Sequence, residues 1–287
     1  MSKVGVVTDS NSGITSEVAQ QMGIYSLPMP FTIDEEEYLE GINLTIPEFF
    51  HKLKGDYNVA TSQPSPMEIT KLWDKALQDF DEIVFIPMSS GLSGECQTAT
   101  MLAEDYEGKV VVINNQRISV TQKQSVRDAL YLAQQGKSAK DIKKILEDQK
   151  FDSSIYITID DLSYLRKGGR LTPAVAILGN ILKIKPVLQI QGEKLDAFAK
   201  ARTVKATKTI MIDAVKSDLQ GRFKDIAGDM KLCIAHTDNY DAAMEFKKEV
   251  EAAIPGYIIE DVDDLSLSVS CHIGPGALAL ACVRVVK

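Results

Sequence analysis

The chain has 287 residues, about twice the common domain length of roughly 100 to 150, so two domains or one large α/β unit is expected. Hydrophobic residues at 45% and charged residues at 25% place it among folded globular proteins and exclude disordered, collagen-like and coiled-coil classes. With 32 Lys and Arg against 40 Asp and Glu, the net charge is −8, the wrong sign for a protein that grips nucleic acid.

Along the first half, short β-rich runs alternate with helical periodicity, the pattern of a mostly parallel sheet covered by helices. Val4 to Thr8, Glu82 to Pro87 and Lys109 to Asn114 read as strands, and Ile14 to Met22, Pro66 to Gln78 and Gly94 to Asp105 as helices. Ser65-Pro66-Met67-Glu68 joins a hydroxyl cap, a proline at the first helical position and a glutamate at the third; Thr45-Ile46-Pro47-Glu48 repeats the pattern. Val120 to Gln135 and Ala139 to Gln149 form a helix pair split at Gly136-Lys137-Ser138, with Ser138 and Asp141 placed to cap the second member.

Near residue 150 the rhythm changes, which divides the chain into an N-terminal α/β domain (1–150) and a C-terminal α/β domain (151–287), with a segment exchange near 61–78 compatible with the pattern. Ser154 to Thr158 is expected as a strand and Leu162 to Lys167 as a short helix closed by Gly168-Gly169. An apolar helix from Pro173 to Leu182 follows, capped by Thr172. Lys185 to Gln191 and Lys194 to Ala199 pair across Gly192. Thr203 to Leu219 and Tyr240 to Ala253 read as long helices, Lys231 to Ala235 and Tyr257 to Val262 as strands.

The longest apolar stretch, Ile273 to Val286, contains Gly274, Pro275, Gly276 and Arg284 and falls short of the roughly 20 residues that span a bilayer. The opening MSKVGVVTDS lacks a signal-peptide pattern, so a cytoplasmic location is expected. Cys96, Cys233, Cys271 and Cys282 are scattered without a Cys-x-x-Cys pair, which points to buried free thiols rather than to a zinc or redox site. P-loop, zincin and EF-hand patterns are absent from the sequence.

Five polar clusters stand at element ends. Thr8-Asp9-Ser10-Asn11-Ser12-Gly13 follows a buried strand, where ligands of parallel sheets gather, or simply caps the helix after it. Thr61-Ser62-Gln63-Pro64-Ser65-Pro66 offers uncharged hydroxyls on a proline-stiffened segment; Ser65 and Pro66 are explained by the helix start, Thr61 and Ser62 are not. Ser89-Ser90-Gly91-Leu92-Ser93-Gly94 forms a small-residue turn into a helix, an anion-receptive place where Ser93 is also an ordinary cap candidate. Leu165-Arg166-Lys167-Gly168-Gly169-Arg170 gathers cations, to which Arg202 adds another; a solvated helix end is the plain alternative. Ser270-Cys271-His272-Ile273-Gly274-Pro275-Gly276-Ala277-Leu278-Ala279 contains one of only 3 histidines. Its Gly274-x-Gly276-x-x-Ala279 mimics a dinucleotide fingerprint but leaves no room for the acidic residue that motif needs about 20 positions on.

Taken jointly, Thr8-Asp9-Ser10, Thr61-Ser62-Gln63-Pro64, Ser89 to Gly94, Lys167-Gly168-Gly169-Arg170, Lys185-Pro186 and His272 to Leu278 resemble the DegV family, fatty-acid-binding proteins of the FakB type in bacteria. The resemblance runs over essentially the whole chain. It implies two α/β domains with an apolar lipid tunnel, no cofactor beyond a bound long-chain fatty acid, and no metal. It also implies no catalytic residue in this chain: a separate ATP-dependent fatty acid kinase would phosphorylate the presented carboxylate. By resemblance Thr61, Ser62, Ser93, Gly94 and His272 bind that carboxylate, while Arg170 and Arg202 lie near the phosphate or the kinase. Two positions depart from the family pattern beside the head-group site: Glu95, where a small or hydroxyl residue is common, and Ala279, where glycine is favoured.

A serine hydrolase built on Ser93, His272 and an acid from Asp261 to Asp264 is the alternative from another class, although Gly91-Leu92-Ser93-Gly94-Glu95 lacks the last glycine of a nucleophile elbow. A small-molecule or protein-interaction module without lipid is the third reading. Transient membrane contact through the apolar helix flanked by Arg170, Lys183 and Lys185 is a further expectation, with an ordinary core helix as its alternative.

Overall fold

A computed structural model describes residues 2–55, 57–170, 172–178 and 184–287. Strand β1 (Val4–Asp9) leads through helix α1 (Ser16–Met22) to β2 (Tyr25–Leu27). Strands β3 (Pro30–Ile33) and β4 (Glu36–Leu39), helix α2 (Ile46–Leu53) and β5 (Val59–Thr61) come next. Helix α3 (Pro66–Ala76), β6 (Glu82–Ile86), α4 (Glu95–Ala103), β7 (Val110–Val112), α5 (Ser119–Gln134) and α6 (Ala139–Asp148) complete the first half. The second half runs β8 (Ser153–Thr158), α7 (Ser163–Lys167), α8 (Pro173–Leu178), β9 (Lys185–Ile190), β10 (Leu195–Ala201), α9 (Val204–Gln220), β11 (Met230–His236), α10 (Tyr240–Ala253), β12 (Val262–Asp264), α11 (Leu267–Ile273) and β13 (Leu278–Arg284).

The first sheet, β2-β1-β6-β7, is parallel throughout. Period-2 alternation sends Val4 and Val6 into a core with α5 and α6, while Val7 turns to the opposite side, where Trp73 of α3 and Cys96 of α4 pack. Both faces are therefore covered and the strand ends are left as the accessible edge. The six-stranded sheet, β10-β9-β8-β13-β11-β12, is antiparallel except for its β11–β12 pair.

A three-stranded sheet, β4-β3-β5, stands apart; its Phe31, with Phe49 and Phe50 of α2, packs with Leu267 and Cys271 of α11. The segment that leans on the C-terminal half is thus residues 30–61, whereas α3, within the expected exchange region, packs beneath the first sheet through Ile69, Trp73 and Ala76. Both capping boxes form, at Thr45 and at Ser65.

One strand expectation changes. Tyr257 to Val262 is not a strand: pairing with β11 begins only at Ile234↔Val262, and Ile258 is 77% exposed, so its apolar side chain reflects a surface turn rather than a buried edge. The Gly274–Ala279 segment leads into strand β13, not a helix, in keeping with the rejection of the dinucleotide fingerprint. Of the apolar helix expected over Pro173 to Leu182, the portion Pro173–Leu178 is helical and 179–183 lies outside the described residues. No helix among the described residues is long and apolar enough to cross a membrane. All four cysteines are buried free thiols.

Candidate functional site

The carboxyl ends of β1, β2, β6 and β7 face one side of the six-stranded sheet, and between them lies a cavity of about 200 Å³. On the same measure one water needs about 10–15 Å³, so the space suits a chain of atoms rather than a few solvent molecules. Its origin is legible in strand alternation. On β11 and β13 the residues facing the cavity side are small, Cys233, Ala235, Ala279 and Ala281, while the bulky Leu232, Ile234, Leu278 and Leu280 face α9 and α10 on the other side. Small side chains at the centre of the sheet leave room, and Ile155, Ile157, Ile190, Leu195, Leu165 and Ile273 make the surrounding wall apolar.

One end of the cavity is polar. Thr61, Ser62, Gln63, Ser93, Gly94, Arg170 and His272 all border it, although they come from four separate stretches of chain. Thr61 closes β5, where it pairs with Phe31 of β3. His272 sits in the last turn of α11, and its Nε2 meets Thr61 Oγ1 at 2.8 Å. Its Nδ1 is buried without a hydrogen-bond partner among the described residues and lies against Gly168, where a Cβ would come within 2.0 Å of that nitrogen. Burial, reinforced by the Arg170 charge, lowers the imidazole to about 4, so His272 is neutral near pH 7. Nδ1 has nothing to donate to, so the proton belongs on Nε2, donated to Thr61 Oγ1; the Thr61 hydroxyl then keeps its own proton for the cavity.

Ser93 is fixed the same way. Its N–H donates to Ser89 O at 3.2 Å and its Oγ accepts from Glu95 N at 3.2 Å, which leaves the hydroxyl proton free to point into the cavity. Gly94 caps α4 with no side chain, so beyond the Glu95 N–H bonded to Ser93 Oγ that first turn has no side-chain cap among the described residues. Gln63 bridges to Thr98 of α4 through bonds of 3.0 and 3.3 Å, tying the Thr61–Gln63 segment to the Ser93 turn. Arg170 is exposed and donates to Gly168 O at 3.0 Å. Arg202 is exposed on the bend between β10 and α9 and does not border the cavity; the structure does not bring it to the other site residues.

The Thr8-Asp9-Ser10 cluster ties strand ends together. Thr8 Oγ1 donates to Ile86 O at 2.8 Å, Asp9 accepts from Met88 N at 2.6 Å and Asn11 N at 2.8 Å, and Ser10 Oγ accepts from Met29 N at 3.0 Å. Asp9 and Glu95 are both fully buried and lie against one another; burial raises both carboxyls, and Glu95, acted on also by the Asp9 charge, rises the more. Asp9 accepts several hydrogen bonds that work against the effect of burial, so Glu95 is the more strongly raised of the pair. Glu95 lies behind the Ser93 turn without bordering the cavity, whereas Ala279 lines it. Sequence reasoning missed Ser119, which no motif marks, and Glu40, which looks like one more acid in a charged run but accepts from Ser10 Oγ and Leu267 N.

His272 offers Ser93 no base, because one nitrogen bonds Thr61 and the other abuts Gly168. Asp261 pairs with Arg127 at 2.6 and 2.9 Å, and Asp264 faces His236 rather than His272. Among the described residues there is no group of His, Cys, Asp and Glu arranged to hold a metal ion.

A family model described as an uncharacterised protein of the DegV family matches residues 3–285. A DegV domain-containing protein of Streptococcus pyogenes serotype M1 is 31% identical over 281 residues, covering 96% of this chain and 97% of that one. Among solved structures, one described as fatty acid binding of a DegV family protein from Thermus thermophilus superposes with a TM-score of 0.88 at 26% identity, covering 99% of this chain and 100% of that one. DegV from Bacillus subtilis, described as a fatty acid binding protein, superposes with a TM-score of 0.86 at 27% identity over the same shares.

Proposed function

The chain belongs to the DegV family, and from that premise we propose that it holds a long-chain fatty acid with its tail in the apolar cavity and its carboxylate at the polar end. The observation that carries this is the convergence of Thr61, Ser93 and His272, from three distant stretches, on one end of a cavity whose remaining walls are mostly hydrocarbon. Thr61 and Ser93 would donate to the carboxylate, with Ser62 and the Gly94 turn beside them. Burying about 15 methylenes at about 0.8 kcal/mol each contributes on the order of 12 kcal/mol gross, the scale of nanomolar binding before ordering costs. Tail burial would set affinity and the polar end orientation.

Neutral donors leave the carboxylate unlocked by an ion pair, so that one oxygen remains able to attack a phosphoryl group. This supports the finer reading of the FakB type: a carrier that presents the carboxylate to a separate ATP-dependent kinase for acyl phosphate formation, with Arg170 at the cavity mouth meeting phosphate or kinase. Arg202, away from the cavity, fits only the second role. Organic extraction and mass spectrometry of the purified protein test the carrier, and an empty protein that also refuses added palmitate and oleate would overturn it. Acyl phosphate formation with ATP and a fatty acid kinase tests the partnership; lipid bound without turnover would leave the carrier standing and remove the kinase role.

A further inference from the structure

The inner wall of the cavity carries few polar side chains. Asn11 and Ser268 satisfy one another: Ser268 Oγ donates to Asn11 Oδ1 at 2.5 Å, Ser266 Oγ adds a bond of 2.8 Å, and Asn11 Nδ2 rests on Met88 Sδ at 3.0 Å. Ser119 differs. It is only 6% exposed, borders the cavity between the core residues Ile118 and Val120, and its hydroxyl makes no hydrogen bond among the described residues.

Two further features single it out. Its φ is +56°, in the left-handed region that costs free energy in any residue with a Cβ. It also opens α5, a helix of 16 residues whose N-cap, Ile118, has no polar side chain to satisfy the first-turn N–H groups. An unbroken alkyl chain passing here would leave a hydroxyl and helix donors dry and unpaired, which is costly in apolar surroundings.

We infer that Ser119 and the N-terminus of α5 form a second polar contact point in the cavity, one that takes a hydroxyl carried on the hydrocarbon part of the ligand. The favoured ligand class is then a hydroxylated acyl chain, an inference that rests on the fatty-acid reading above. A hydroxyl suits both partners at once: helix N–H groups donate to its oxygen while Ser119 Oγ accepts its proton.

The test is calorimetric titration of delipidated wild type, Ser119→Ala and Ser119→Gly with stearate and with a positional series of monohydroxystearates. Ser119→Gly relieves the left-handed backbone, so it removes the hydroxyl without threatening the fold. At one hydroxyl position, the preference for the hydroxylated over the plain chain should fall about five-fold or more in both variants, while stearate binds them undiminished. Identical preferences in all three proteins at every position would overturn the inference and leave the fatty-acid reading standing. Stearate failing to bind wild type would overturn both.

Discussion

Thr61 Oγ1 and His272 Nε2 stand 2.8 Å apart although 211 positions separate them in the chain. The bond joins the small sheet to α11 and fixes the direction in which Thr61 donates. Thr61→Val and His272→Ala are each expected to weaken palmitate binding about five- to ten-fold, the scale of one lost neutral hydrogen bond, and Thr61→Ser should restore most of it. A double-mutant cycle by titration calorimetry checks the coupling; strictly additive losses would show that the two side chains act separately.

Gly168 closes α7 with φ −77°, so its need is space rather than backbone freedom. A Cβ would fall 2.0 Å from His272 Nδ1, and α7 and α11 cannot separate without disturbing the core around Leu165 and Ile273. Gly168→Ala should therefore displace the imidazole and reproduce the binding loss of His272→Ala while the protein stays folded. Far-ultraviolet circular dichroism and palmitate titration report the two halves of that outcome; wild-type affinity in Gly168→Ala would show that the imidazole position is unimportant.

Room in the cavity depends on small residues at the centre of the six-stranded sheet. Ala235 and Ala279 border it and are 1% and 2% exposed, so leucine at either position has nowhere to go but into the ligand space. Ala235→Leu and Ala279→Leu should hold the fold, or strengthen it, because the added carbons fill a void instead of overpacking a core. Affinity for long chains should fall more than for short ones. Titration with a series of saturated acids of increasing length reads this out, and an unchanged length profile would move the acyl tail elsewhere.

Much of the parallel sheet was legible because buried strands and capped helices announce themselves locally: Val4 to Thr8, Ser65 to Glu68 and Ser138 each carry their signal within a few residues. The cavity was not legible in that way. Ala235 and Ala279 look like any small core residues until the register of β11 against β13 pairs them directly. The family resemblance brought Thr61, Ser93 and His272 together as a group, but the Thr61–His272 contact depends on the small sheet of residues 30–61 packing on α11, which periodicity does not encode. Arg202 and Ser119 bound what a motif reveals of position: the first is conspicuous in the sequence and does not border the cavity, the second is inconspicuous and on its wall.

Two titrations of opposite sign, at His272 and Glu40, contribute to the pH response of the fold beside those of other buried groups such as Asp128. Burial, then Arg170, lowers His272 from 6.5 to about 4, so the unfolded chain binds its proton first; that stability is full above 6.5 and is lost as pH falls toward 4. Burial pushes Glu40 from 4.5 up to about 7, so the folded chain holds its proton longer; that stability is full below 4.5 and is lost as pH rises through 7. Between 4.5 and 6.5 the two slopes oppose one another, so wild type should show little net dependence from this pair. Glu40→Gln should expose the histidine: relative to wild type, stability then declines more steeply as pH falls from 6.5. His272→Gln should expose the carboxyl, with stability declining as pH rises from 4.5 to 7. Each change is on the order of 1 kcal/mol, because both side chains keep some solvent contact that screens them. Urea unfolding across that range checks the signs, and parallel profiles in the two variants would show that neither group titrates as its surroundings dictate.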